Sequence, residues 1–365
     1  MERQGPAYKP FGTMRFGLAF LVFLHHSLPL AAPSLYEPFR LNLGHIAVMV
    51  FYALSGFVIA EAVYLFYRDR PFSFLANRLL KLWPPYLAAL GIAIACNGYV
   101  SHFGLWPGDD EFLTYQKSSV ELLSLGTMLY NVVYIFPIIV STVLSAFQSL
   151  DIPHLKYMFL RVAPTLQVEW FFYYIAFGAT WLLYNVTKKA GMAITVGCLA
   201  IYLISELLLG RDTIWSYVPM FLIGVGVAIL PRLEIAKRIQ LAAMAVLYAA
   251  AVAQFIRFLV PAYPVAWKLV NAAGFLIFIV AMHMLSSQAL SNRLKSVDQW
   301  FGNMSYPFYL NHSMVLFLAA AFLTTRGGWF WLAAFSAAFT MSWIMMVIVE
   351  RPLMIIRDRV RGKKL

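Results

Sequence analysis

Charge is what this sequence has least of. Only 12% of its 365 residues are Asp, Glu, Lys or Arg, about half the share with which a soluble domain covers its surface. Cysteine is scarce as well: Cys96 and Cys198 each sit inside an apolar run, which excludes a disulfide framework. Glycine-rich phosphate loops of the GxGxxG or P-loop kind are missing, and no Cys/His cluster has metal-ligand spacing. No internal repeat or low-complexity tract interrupts the chain. Disordered, collagenous and coiled-coil classes need compositions this chain lacks. What it has is apolar residues, at 62%, and a mean hydropathy of +0.73. The sequence therefore predicts an all-α polytopic membrane protein, one membrane domain over residues 1–365.

A lipid-crossing helix needs roughly 20 apolar residues. Such runs cover 14–31, 44–66, 82–100, 165–184, 191–209, 213–230, 239–259, 266–286, 303–323 and 328–349. An eleventh, over 122–147, is broken by Gly126 and Pro137. The first run carries Arg15 and two histidines and lacks a small-residue cleavage site, so it is expected to stay on the chain. Basic residues decide whether the eleventh run crosses. With ten crossings, 20 of the 28 Lys and Arg fall on the N-terminal side, among them Arg15, Arg78, Lys81 and the six from Arg351 to Lys364. With eleven, the split is 13 to 15. The positive-inside rule selects about ten spans with both termini cytoplasmic. It leaves 102–164 outside, with 122–147 as a re-entrant or interfacial segment that protein must cover. The net charge of +12 is then topology, and nucleic-acid binding is not expected.

Ionisable groups inside hydrocarbon are costly and mark function. Arg15 stands at the mouth of the first run, and His26 lies eleven residues on, roughly 16 Å higher and about 20° away around the helix. Ser55 reaches mid-depth in the second run, and Tyr309 and His312 reach a similar level from the other direction. Glu169 sits near the start of its run, with Tyr173 on the same face at i+4. Arg78 and Lys81 mark the basic rim, where topogenic charge is the plainer reading. His25 and His45 read as helix-end or interfacial residues, and Glu61 and Glu206 as snorkelling or paired groups. The pattern is an axis with cations below and acid–base groups above.

The same segments resemble the acyltransferase-three family of integral membrane acyltransferases that modify envelope polysaccharides. Arg15 and His26 match its Arg-x10-His signature, and FYALSGFVI at 51–59 is similar to FFxLSGFLI. Asn77 to Pro84 resembles RRxxRxxP, with Asn77 and Lys81 in place of the first and last arginine. Pro164 to Tyr173 resembles WSLxVExxFY, with Pro164-Thr165 replacing Trp-Ser. Ser305 to His312 resembles SYxxYLxH, and Glu350-Arg351-Pro352 the closing ExP. The resemblance implies a multi-pass protein of the bacterial inner membrane. It implies O-acyl transfer from cytoplasmic acyl-CoA, commonly acetyl-CoA, to a hydroxyl of an extracytoplasmic or lipid-linked saccharide.

On that reading no cofactor or metal is held permanently, and a homo-oligomer is left open. Arg15, Arg78, Lys81 and Ser55 would bind acyl-CoA, the cations taking its phosphates. His26 would act as general base, with an ordinary pKa near about 6.5, and Glu169 would orient it or bind the acceptor. Tyr173, Tyr309 and His312 would hold the acceptor or the oxyanion. The alternative is a transporter or flippase of lipid-linked sugars, which would also line an intramembrane path with polar groups.

Overall fold

The computed structural model describes residues 8–33, 41–105, 125–136, 158–185, 217–233, 236–259, 264–288 and 290–362. Among them there are helices and no strands, as bilayer-spanning backbone requires when every N–H and C=O must be satisfied within the segment. The helices are α1 Gly12–Ala31, α2 Leu43–Ala62, α3 Pro71–His102, α4 Leu125–Val133, α5 Ala163–Asn185 and α6 Val218–Ile229. They continue as α7 Lys237–Phe258, α8 Val265–Ser286, α9 Asn292–Phe322, α10 Gly328–Met345 and α11 Arg351–Arg361. Six helical stretches among the described residues are long and apolar enough to cross a membrane: Gly12–Ala31, Leu43–Tyr67, Pro71–His102, Lys237–Arg257, Val265–Ser286 and Gly328–Arg361. The runs at 165–184 and 303–323 lie in α5 and α9, and the run at 213–230 narrows to α6. The run at 191–209, with Cys198 and Glu206, lies outside the described residues.

Hydrophobic burial cannot drive helices together in lipid, so close backbone packing takes its place. The α2–α6 seam shows this. A Cβ on Gly56 would lie 2.1 Å from the Phe221 carbonyl oxygen, and one on Gly224 would lie 1.8 Å from that of Ala53. Only glycine lets those backbones touch. α1 and α9 run side by side in the same direction, with Phe16 against Phe301 and Phe308 at 5.1 and 5.3 Å. α10 closes that pair with Trp331, 5.9 Å from Phe23 of α1, and Phe335, 6.1 Å from Phe308 of α9. Outward on α7 and α8, Leu241, Val246, Val265 and Ile277 are exposed and face the lipid position.

α1 lacks a capping side chain of its own, and α9 supplies one. Asp298 accepts the Gly12 N–H at 2.8 Å and the Thr13 N–H at 2.7 Å, with the Tyr8 hydroxyl donating at 2.5 Å. Two otherwise orphaned donors of the first turn are thereby satisfied. Burial alone would raise the Asp298 carboxyl, but these bonds outweigh it and hold the group below its ordinary value. A Cβ on Gly12 would strike the Asp298 carbonyl oxygen at 1.7 Å, so the cap depends on glycine at that position.

Of the broken eleventh run, residues 125–136 are described and hold α4, nine residues long, roughly 14 Å of helix. Protein donors cover its C-terminal carbonyls. Trp83 Nε1 donates to Val132 O at 3.2 Å, the Tyr86 hydroxyl to Asn131 O at 2.6 Å, and Gln167 Nε2 to Tyr134 O at 3.3 Å. Such cover is the condition under which non-spanning backbone is tolerated at membrane depth. Residues 137–157, with His154, lie outside the described residues.

Candidate active site

One cavity of about 360 Å³ opens among α1, α2, α3, α5, α9 and α11. Both described ends of the chain border it, through Tyr8 and Arg361. Its charged lining is concentrated at one end of the bundle: Arg15, Arg78, Lys81, Arg357 and Arg361 against Glu169, Glu350 and Asp358.

Arg78 and Lys81 are on α3, which starts at Pro71, eleven residues ahead of the apolar run that marks it in the sequence. The segment that resembles RRxxRxxP, Asn77 to Pro84, lies wholly within this helix. Proline suits the first helical turn because its missing N–H would have no partner there. The helix then presents Arg78 inward, 2% exposed, with its guanidinium over the rings of Phe74 at 5.4 Å and Tyr173 at 5.7 Å. Its Nε and Nη2 find no hydrogen-bond partner among the described residues. A buried guanidinium with two idle donors is costly unless an anion completes it.

Above this charged end lies a carboxylate node. Glu169 Oε1 accepts from Ser55 Oγ at 3.0 Å and from the Tyr173 hydroxyl, one helical turn on. Thr165, a further turn back on α5, gives its one proton to Val162 O at 2.6 Å. Its 2.7 Å contact with the Tyr309 hydroxyl is therefore donated by Tyr309. Tyr309 is the uppermost α9 residue bordering the cavity.

Past Tyr309 are the histidines. The His312 ring lies 5.8 Å from that of Tyr309, and His26 stacks on His312 at 5.5 Å with 19° between planes. His312 Nδ1 bonds to Tyr309 O at 2.7 Å. A carbonyl only accepts, so Nδ1 carries the proton, and in the neutral ring Nε2 is left as the basic nitrogen.

The structure thus brings Arg15, Arg78, Lys81, Ser55, Glu169, Tyr173 and Tyr309 around one cavity, and His26 against His312 just beyond it. Glu169 accepts from Ser55 and Tyr173 and lines the cavity with Arg78 and Tyr309. Sequence reasoning missed Arg357 and Arg361, which it counted only as topogenic charge. Their signal was present: they fall seven and eleven residues after Glu350, on one helical face. The Glu350 carboxylate and Arg357 Nη1 are 4.0 Å apart.

Searches of the curated proteins and of the solved structures find no match. The model of the acyltransferase 3 family, described as an acyltransferase domain, matches residues 11–350. That stretch contains every helix from α1 to α10 and every site residue named above except those of the N-terminal segment and α11. An all-helical multi-pass architecture, an inward arginine and paired intramembrane histidines agree with a match over nearly the whole chain, and the protein belongs to the acyltransferase 3 family.

Proposed function

We propose that this acyltransferase moves an acyl group, commonly acetyl, from acyl-CoA to a hydroxyl of an extracytoplasmic or lipid-linked saccharide, in the inner membrane of a bacterium. The observation that carries the reading is a single cavity with idle, buried arginine donors at one end and Tyr309, backed by His312 and His26, at the other.

On this reading the basic end faces the cytoplasm and takes the phosphates of coenzyme A on Arg15, Arg78 and Lys81. The pantetheine arm runs past Ser55 and brings its thioester to the level of Tyr309. The acceptor arrives from the opposite face. His26 removes the hydroxyl proton as the sugar oxygen attacks the thioester carbonyl, and the C–O bond forms. When the tetrahedral intermediate collapses, the C–S bond breaks and the coenzyme A thiolate takes the proton back from the imidazolium. Tyr309 stabilises the oxyanion by turning its proton from Thr165 to the developing charge. His312, with Nδ1–H fixed by the Tyr309 carbonyl, keeps the His26 ring in place by stacking. Glu169 fixes Ser55 and Tyr173 and balances the charge of the buried Arg78.

The test uses purified protein in detergent, labelled acetyl-CoA and a lipid-linked saccharide, with no ion gradient. Alkali-labile label on the saccharide, lost in His26→Gln at normal expression, is the expected result. Gradient-dependent movement of the saccharide without label transfer would instead make the protein a transporter or flippase.

A further inference from the structure

The mechanism above uses the cations of α1 and α3. It leaves unexplained why α11, beyond the residues the family model matches, is folded against the same cavity. Its docking is specific. Asn77 Nδ2, fully buried, donates to Arg357 O at 3.0 Å, and Arg70 Nη2 donates to Arg361 O at 2.8 Å. The helix ends on Gly362 in the left-handed region at φ 79°, the usual way to stop a helix, with the Arg70 guanidinium close by. Two main-chain carbonyls are thus held by side chains from the start of α3, which fixes the face that α11 presents.

That face carries Arg357, Asp358 and Arg361 to the cavity, with Met354 beside them. Arg357 is 9% exposed, and its Nε has no partner among the described residues, nor has that of Arg361. Glu350 approaches Arg357 only at 4.0 Å, and Asp358 reaches Arg361 Nη1 at 3.4 Å. Both residues border the cavity that Arg78 also lines, and Arg78 Nε and Nη2 likewise have no partner among the described residues. Arg359, two residues from each, is exposed and does not border the cavity. Arg357 is buried and Arg361 half-buried at the cavity while Arg359 stays in the open, whereas topogenic charge would favour all three in water.

We infer that Arg357 and Arg361 form the second wall of a phosphate-binding mouth, opposite Arg15, Arg78 and Lys81, and hold the phosphates of the nucleotide thioester donor. This rests on the acyl-CoA reading of the cavity. Guanidinium groups suit the task because each offers a planar fork that meets two phosphate oxygens at once. An anionic lipid headgroup presents the same chemistry, so the experiment separates the two sources.

Coenzyme A binding is measured by calorimetry on full-length protein in neutral detergent, for the wild type, Arg357→Gln, Arg361→Gln, Arg357→Lys and Arg359→Gln. It is repeated with phosphatidylglycerol added. The expected result is a Kd raised about tenfold or more in each of the two glutamine variants at the cavity, the size of one lost charge-assisted contact. Arg357→Lys should recover part of that loss, and Arg359→Gln should match the wild type. In turnover the same two variants should raise KM for acetyl-CoA with kcat within about twofold. Wild-type affinity for coenzyme A in all variants would overturn the inference and leave the donor reading standing. Reduced phosphatidylglycerol retention with unchanged coenzyme A affinity would overturn it in favour of a lipid site. A wild type that does not bind coenzyme A at all would remove both readings. Should Arg357→Gln fail to fold, the Arg361→Gln and Arg357→Lys arms decide alone.

Discussion

At the Arg15 end of the cavity five cationic side chains meet three carboxylates, and several guanidinium nitrogens have no partner among the described residues. At the His26 end two imidazoles stack, and one of them is pinned by a main-chain carbonyl among close-packed aromatic rings. The first region has more donors than it has protein acceptors, which leaves a deficit for a ligand to fill. The second stacks its rings and fixes the His312 ring by a bond to a main-chain carbonyl. On the proposed reading, binding energy and chemistry are placed apart, which would let contacts far from the reacting carbonyl hold the substrate for reaction.

That contrast can be broken from either end. The largest effect should come from His26→Gln, which keeps the size and polarity of the ring but cannot take a proton. A loss of about 10²- to 10⁴-fold in kcat is expected for a general base, with donor affinity unchanged, read by single-turnover label transfer. Arg78→Gln should show the opposite signature: KM for acetyl-CoA up by about ten- to a hundredfold, as for a lost charged contact, with kcat nearly held. If Arg78→Gln instead lowered kcat alone, the separation of the two regions would be wrong.

Glu169→Gln sharpens the boundary between them. It keeps an acceptor for Ser55 and Tyr173 but removes a carboxylate from the cavity that buried Arg78 also lines. A drop of about tenfold in kcat/KM is expected, with a lower detergent melting temperature, since a charged partner is worth about 1.5–3 kcal/mol. The smallest change belongs to Asp298→Ala, which removes the cap of α1 for about 1 kcal/mol. Because the folded Asp298 carboxyl is held below its ordinary value, its stabilisation is fully present above about pH 4 and fades as pH falls through that lowered value. The melting difference between wild type and variant should therefore be present at neutral pH and shrink on strong acidification.

The helical architecture was legible because apolar runs of bilayer length admit little else, while Gly126, read as an interruption of the 122–147 run, lies inside α4. Spacing within one helix was legible too: Glu169 and Tyr173, at i and i+4, are hydrogen-bonded. What spacing cannot give is which helices meet. Asp298 caps a helix that begins 286 residues earlier, and Arg357 is docked by Asn77 across 280 residues. Asn77 itself stands where the family motif has an arginine, and its short amide holds α11 in place. A charge count had assigned Arg357 and Arg361 to topology because, read one helix at a time, an arginine near a membrane rim has no other signature.

The order of the residues around the cavity bears on how the protein is made. Arg15, Arg78 and Lys81 leave the ribosome early, while Glu350, Arg357 and Arg361 follow some 270 residues after Lys81. Through most of synthesis three cations share a half-built chamber with Glu169 as the one lining carboxylate yet available. On the proposed reading, the mouth gains its second wall only once the last helix packs against α3. Nascent chains halted before residue 350 should accordingly hold coenzyme A more weakly than the full chain, so the last helix to be made completes the donor site.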